Sequence, residues 1–309
     1  MKMSLLRPNG PWYVYGLVMA VWTVYTLSVV MAHISASQSY QLDYVTLNII
    51  RLTFALPILV IWLLAAQSIM RFARYARLVA KTPEGPAFSR IAQGLGWLFA
   101  YVLALMILPR LAAMFAHSAL VLPAVFVRNH LPVALLVVAF SLLYLGSVRL
   151  IKRVPVEPSY HSTTLRWLAY CVFVVIFVTI FFGTKADGTS PDGVPFFAVP
   201  HSVLLFTLIL PSIIAWGLGL TAVFFVYRYS RFAKGSVYRA ALRWLAAGLA
   251  ASIGFTILVE LVLLNTPALR GLGLATLSLL IYLFVAIYAV GGLLVARGAS
   301  KLALIEEAL

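Results

Sequence analysis

The chain has 309 residues, of which 63% are hydrophobic and only 10% charged, and its formal net charge is +15 at pH 7. This composition excludes an intrinsically disordered chain and argues against a soluble globular domain, in which about a quarter of the residues are charged. Several apolar runs approach or exceed the roughly 20 residues that cross a bilayer as a helix. The sequence therefore predicts an all-α, multi-pass membrane protein.

Eight membrane-spanning helices are predicted along the chain, because a helix satisfies its own backbone hydrogen bonds in lipid. They cover residues 12–33, 49–70, 91–109, 131–148, 167–184, 201–226, 244–264 and 272–295. The first run follows Lys2 and Arg7 and is longer than the apolar core of a secretory signal. We expect a retained span, and a leader cleaved near Ser35-Ala36-Ser37 is the alternative.

The basic residues predict the orientation of these spans. If the N-terminus is cytoplasmic, eighteen basic residues lie on cytoplasmic segments and four on outer segments. The positive-inside rule then places both termini in the cytoplasm and the protein in the plasma, or inner, membrane. We attribute the high net charge to this topology and to anionic lipid headgroups, and we expect no nucleic-acid partner.

An internal repeat relates two halves of the chain, residues 1–154 and 155–309, each with four predicted spans. At a constant offset of 154, the matches include Pro57 with Pro211, Trp62 with Trp216, and Arg74-Tyr75 with Arg228-Tyr229. An even number of spans places both copies the same way up, about an axis normal to the membrane. The two prolines are candidates for paired kinks beside a shared cavity, or else they only shape the packing.

Two segments that follow the second and sixth spans carry basic residues at helical spacing. They contain Arg71, Arg74 and Arg77 in the first half, and Arg228, Arg231 and Lys234 in the second. Aromatic residues are interleaved with both sets. We expect these helices to continue past the bilayer and to lie against anionic headgroups at the cytoplasmic face. A docking surface for a cytoplasmic or membrane protein is the alternative.

Residues 227–249, YRYSRFAKGSVYRAALRWLAAGL, combine basic and aromatic residues at the end of one span and the start of the next. This stretch resembles the linker-and-span segments of the multi-span sensor regions that precede bacterial histidine kinase domains. The resemblance implies a sensing role in a bacterial inner membrane. No kinase, cyclase or DNA-binding sequence follows before Leu309, so we expect a separate protein to carry any signal.

Ionisable residues inside the predicted spans are few, and such residues are candidates for function because their burial in lipid is costly. Glu260 in the seventh span and Arg51 in the second lie at similar depth in the outer leaflet. We predict that they pair, with Arg110 as a rival partner for Glu260. The pair is either a gate or ligand site, or a structural link between the halves; desolvation that keeps Glu260 protonated is the other interpretation.

The sequence contains no catalytic motif. Phosphate-binding loops, dinucleotide fingerprints and nucleophile elbows are absent, and the five histidines lack metal-ligand spacing. We therefore expect no enzyme activity, metal or cofactor. The leading hypothesis is a sensing or accessory subunit that binds an apolar or lipid-like ligand, or partner helices, between its two halves. A secondary transporter and a structural scaffold are the alternatives.

Overall fold

The computed structural model describes Val18, Trp22 and residues 44–115, 118–152, 201–233, 235–264 and 274–307. These residues form six helices: α1 (Tyr44–Leu78), α2 (Gly85–Met114), α3 (Val121–Ile151), α4, α5 (Ser236–Leu264) and α6 (Leu274–Glu307). Helix α4 begins with the turn His201–Leu204, passes through a π-helical segment, Leu205–Ile209, and continues as Leu210–Phe232.

The all-α prediction is confirmed for the described residues. Five segments are long and apolar enough to cross a membrane: Gly85–Pro109, Val121–Ile151, Leu205–Phe232, Ser236–Val259 and Ala286–Leu304. These lengths and compositions are those of an integral membrane protein. The predicted span 167–184 lies outside the described residues, as does 12–33 apart from the helical Val18 and Trp22. The total of eight spans therefore stays a prediction.

The helices contact one another in a closed cycle that follows the chain order. Each packs against the next, and α6 returns to pack against α1. The most extensive contacts join α2 to α3 and α5 to α6, whereas α3–α4 and α6–α1 join the two halves of the chain. The cycle therefore has two seams between the halves, one at α3–α4 and one at α6–α1.

Contacts near the helix termini fix the relative directions of the helices. Arg71 of α1 donates a hydrogen bond to Ser300 of α6 (3.3 Å), and Tyr144 of α3 packs near Phe225 of α4, with ring centroids 6.2 Å apart. The C-terminal parts of α1, α3, α4 and α6 thus lie at one end of the bundle, with the N-terminal parts of α2 and α5. We call this end the basic end, because it carries Arg71, Arg77, Arg149, Arg231, Arg243 and Arg297.

Apolar side chains cover both the inside and the outside of the bundle. Trp62 of α1 and Trp216 of α4 are each only 1% exposed, whereas Phe206 is 67% exposed on the outer surface. A helix that is apolar all round suits a membrane span, since one face packs against neighbouring helices and the other contacts lipid. The same exposed side chains would be a liability in water.

Candidate functional site

A small, partly open cavity lies at the α6–α1 seam. Its volume is about 20 Å³, and its walls come from α1, α2, α5 and α6: Ala65, Ser68, Ile69, Leu95, Leu98, Ser252, Tyr288, Gly292 and Val295. A space of this size holds about one water molecule. A larger ligand at this seam therefore requires α1 and α6 to move apart.

The serine hydroxyls beside this cavity are hydrogen-bonded within their own helices. Ser68 Oγ donates to the Leu64 carbonyl oxygen (2.7 Å), and Ser252 Oγ donates to the Gly248 carbonyl oxygen (2.9 Å). Tyr288 packs its ring on Phe255, with centroids 4.8 Å apart. Because each serine proton already has an acceptor, neither serine offers a donor to a polar ligand, and the lining is largely apolar.

Three tyrosines join the two halves at the basic end. Tyr238, at the start of α5, is hydrogen-bonded to both Tyr75 of α1 and Tyr229 of α4. Tyr75 and Tyr229 stand at equivalent positions in the two halves, 154 residues apart. The Tyr75 ring also packs edge-on against Phe88 of α2, with centroids 5.1 Å apart. This cluster fixes the ends of α1, α2, α4 and α5 together.

The predicted basic segments are helical and form part of the bundle. Arg71, Arg74, Arg77 and Arg231 are exposed and Arg228 is half-buried, whereas Lys234 lies outside the described residues. Arg231 Nη2 donates to the Tyr227 hydroxyl (3.4 Å), and its guanidinium lies 5.1 Å from the centre of that ring.

The aromatic residues interleaved with these arginines divide between core and surface. Phe72 and Tyr75 are fully buried, whereas Tyr227 and Phe232 are exposed. The arginines therefore line the surface of the basic end, while part of the aromatic set holds the helix ends in the core.

The predicted charged pair is placed only by its helices. Arg51 belongs to α1, Glu260 to α5 and Arg110 to α2, each toward the end of the bundle opposite the basic end. Helices α1, α2 and α5 all border the central cavity. The side chains of these three residues lie outside the described part of the structure, so the pairing of Arg51 with Glu260 stays a prediction.

The two matched prolines have different surroundings. Pro211 is the second residue after the π-helical segment Leu205–Ile209, whereas α1 is α-helical through Pro57. Proline lacks the N–H that would bond to the carbonyl four residues before, and its ring crowds that carbonyl, so a widened turn is one way to accommodate it. Two further prolines, Pro109 and Pro132, lie inside α2 and α3.

A short polar run interrupts the apolar surface of α3 near the opposite end. Arg128 Nε donates to Asn129 Oδ1 (3.1 Å), and His130 Nδ1 lies 2.9 Å from the Phe126 carbonyl oxygen. The His130 ring stacks on Phe126, with centroids 3.9 Å apart. Among the described residues, no group of three histidine, cysteine or acidic side chains is arranged to hold a metal ion.

A groove on α5 at the basic end was not predicted as a site. It measures about 550 Å³ and is lined by Ser236, Arg239, Ala240, Arg243, Trp244 and Ala247. In the sequence, Arg239 and Arg243 count among the basic residues that orient the spans. Their spacing of four residues, which places both on one helix face, is the signal that indicates the groove.

Comparisons with known proteins add no identity to this description, since no protein-family model, curated protein or solved structure matches the chain.

Proposed function

We propose that this chain is a non-enzymatic integral membrane protein that acts as a sensing or accessory subunit. Its ligand is apolar or lipid-like, or is a partner's membrane helix, and it binds at a seam between the two halves. The observation that carries the proposal is the chemistry of the α6–α1 seam: its cavity has an apolar lining and both serine donors are already used within their helices. Such a surface favours an apolar ligand, because a polar solute would lose its hydrogen bonds to water without replacing them.

We also propose that the halves are two parallel four-span repeats. Supporting this, the two helices of the α2–α3 pair and those of the α5–α6 pair each come close together at a glycine, Gly146 and Gly298, which are 152 residues apart. A Cβ on Gly146 would lie 2.9 Å from the Ala87 carbonyl oxygen, and a Cβ on Gly298 would lie 2.8 Å from the Ala241 carbonyl oxygen. Ala87 and Ala241 are 154 residues apart, the offset of the repeat. The helix cycle has the same order of contacts in both halves.

The gathering of arginines at one end of the bundle supports the proposed orientation. The basic end contains the C-termini of α1, α3, α4 and α6, so a cytoplasmic basic end places the end of α6 inside the cell. An even number of crossings then brings the N-terminus to the same side. Anionic headgroups of the inner leaflet, or an acidic face of a partner protein, complement this surface.

One feature favours secondary transport as a second candidate function. The π-helical segment before Pro211 lies in α4, beside the α3–α4 seam. Wide turns and prolines are places where a helix bends, and rocking of one repeat against the other is how many repeat-built transporters change access. Against this candidate, the buried hydroxyls of Ser147, Ser230 and Thr256 also donate within their own helices, so they do not line a polar path.

The test is retention of a ligand or partner by a seam variant. A leucine at Gly292 would fill the cavity and press α6 away from α1, since a Cβ there already lies 3.5 Å from Ser68 Oγ and 3.8 Å from Ala65 Cα. The control is Gly217→Leu on α4, where a Cβ meets no other heavy atom within 4 Å. Native mass spectrometry of protein extracted with its own membrane lipids compares the two.

We expect the wild-type protein and Gly217→Leu to retain the same lipid or partner protein, and Gly292→Leu to lose it. Equal retention by folded Gly292→Leu protein would contradict binding at this seam. Solute uptake by reconstituted vesicles that is abolished by Glu260→Gln would favour the transporter instead.

A further inference from the structure

We propose that the groove on α5 at the basic end is a binding site for the phosphate group of one anionic phospholipid. The site is separate from the two seams and is independent of what binds there. Its assignment rests on the shape of the groove, on its charge and on its depth relative to the predicted membrane span.

The groove is large enough for a headgroup and open to the side of the bundle. Its volume of about 550 Å³ exceeds that of the central cavity by more than an order of magnitude. Its lining residues recur every one, three or four positions, so they lie along one face of α5. Two alanines, Ala240 and Ala247, keep the floor low.

The charge of the groove is positive, since two of its six lining residues are arginines and none is acidic. Arg239 and Arg243 are exposed and one helical turn apart, and Arg297 of α6 lies beside them, with its guanidinium carbon 4.7 Å from the centre of the Trp244 ring. Arg239 Nη2 donates only to the Ala233 carbonyl oxygen, at 3.4 Å. Among the described residues, none of these three arginines forms an ion pair with a carboxylate.

Like charges one turn apart on a helix repel each other. An anion bound between Arg239 and Arg243 would reduce this repulsion. A phosphate suits this arrangement, because guanidinium groups donate parallel pairs of hydrogen bonds to its oxygens. The Ser236 hydroxyl adds a further donor at the rim of the groove.

The position of the groove indicates that the phosphate belongs to a lipid. The apolar segment of α5 begins at Ser236, so the groove lies where the span enters the headgroup layer. Trp244 is half-buried in the groove, as an amphipathic ring at that depth should be.

Deeper in the membrane, the same face of α5 continues with Ala247, Ala251 and Gly254. A Cβ on Gly254 would meet no other heavy atom within 4 Å. This open strip leaves room for an acyl chain attached to a phosphate held above it.

The first half of the chain has no counterpart to this site. At the offset of 154, Gly85 stands in place of Arg239, Ser89 in place of Arg243 and Arg90 in place of Trp244. The chain before α2 turns tightly, and a Cβ on Gly85 would overlap the Val79 carbonyl oxygen. Before α5, Gly235 instead turns through a positive φ of 85°, which glycine adopts without strain. The turn at Gly235 thus differs from the turn before α2, and the open groove is found on α5.

The experiment is a lipid titration of the purified full chain, delipidated in detergent and followed by native mass spectrometry. Phosphatidylglycerol is the anionic probe and phosphatidylcholine the zwitterionic one. We expect the wild-type protein to bind one phosphatidylglycerol more tightly than phosphatidylcholine. The double variant Arg239→Gln/Arg243→Gln should weaken this binding at least about tenfold, because two charge-assisted contacts are lost.

Arg90→Gln is the matched control, since it removes one positive charge from the equivalent region of the first half. We expect it to bind phosphatidylglycerol as the wild type does. An equal loss in Arg90→Gln, or unchanged binding by the folded double variant, would overturn the site. If the double variant does not fold, Arg243→Gln alone is tested in the same way. We expect a smaller loss of phosphatidylglycerol binding, and unchanged binding would again overturn the site.

Two further arms distinguish a lipid from a free phosphate ion and test the acyl strip. Millimolar inorganic phosphate should fail to displace phosphatidylglycerol, and displacement would show that the phosphate group alone is the ligand. Gly254→Leu should weaken binding of long-chain phosphatidylglycerol but not of a short-chain form. Equal binding of both forms by Gly254→Leu would contradict the acyl strip.

Discussion

Gly94 and Gly248 make the same contact in two different helix pairs. A Cβ on Gly94 of α2 would lie 2.9 Å from the Ala139 carbonyl oxygen of α3, and a Cβ on Gly248 of α5 would lie 2.8 Å from the Gly291 carbonyl oxygen of α6. Real Cβ atoms essentially never approach other heavy atoms so closely. Backbone contact between helices at small residues is a main source of stability in lipid, where apolar side chains gain nothing from leaving water.

Alanine at either glycine should therefore destabilise the bundle to a similar extent. We expect Gly94→Ala and Gly248→Ala each to lower the free energy of unfolding by about 1–3 kcal/mol, because the facing backbone must move away. Gly96→Ala and Gly254→Ala are controls on the same helices, since a Cβ at either position meets nothing within 4 Å. Unfolding in mixed micelles measures the difference, and a Gly94→Ala variant as stable as Gly96→Ala would contradict the close approach.

The tyrosine cluster at the basic end should stabilise the join between the halves. Tyr238→Phe removes the hydroxyl that is bonded to Tyr75 and Tyr229 but keeps the ring. We expect a loss of about 1–2 kcal/mol in the free energy of unfolding, because two buried hydroxyls lose a partner. Tyr227→Phe is the control, as Tyr227 is exposed and accepts only a long hydrogen bond from Arg231. Equal effects of the two substitutions would argue against a role for the cluster.

A double-mutant cycle tests the predicted pair of Arg51 with Glu260. If the two side chains form an ion pair, Arg51→Gln and Glu260→Gln should show a coupling energy of about 0.5–3 kcal/mol in unfolding experiments. A second cycle, with Arg110→Gln in place of Arg51→Gln, tests Arg110 as the rival partner of Glu260. If the changes in the free energy of unfolding are additive in both cycles, Glu260 pairs with neither arginine. The remaining interpretation is a protonated, neutral Glu260, for which Glu260→Gln alone changes the free energy of unfolding very little.

The helices themselves were predictable because long apolar runs have few stable alternatives in lipid. The structure extends them at their ends: α1 runs from Tyr44 to Leu78, beyond the predicted 49–70, and α6 runs to Glu307, beyond 295. Hydropathy marks where apolar residues stop, whereas the backbone stays helical for several turns more and carries basic side chains such as the exposed Arg77 and the half-buried Lys301.

Features that depend on neighbouring helices could not be predicted from local patterns. Spacing places Arg71, Arg74 and Arg77 on one face, but it does not say that Phe72 and Tyr75 are buried against α2. The spacing of Arg239 and Arg243 likewise does not show that Arg297 of α6, more than 50 residues away in sequence, lies over the Trp244 ring. The π-helical segment before Pro211 has no signature that distinguishes it from the α-helix around Pro57.

The most direct test of a parallel duplication is the membrane side of two equivalent positions. Leu78 at the end of α1 and Phe232 at the end of α4 are 154 residues apart, and they are 45% and 48% exposed. Cysteines placed singly at these positions, in a Cys171→Ser background, can be labelled with an impermeant maleimide in intact cells and in inverted membrane vesicles. A parallel duplication with a cytoplasmic basic end predicts that both cysteines label only in inverted vesicles; labelling of the two cysteines from opposite faces would contradict it.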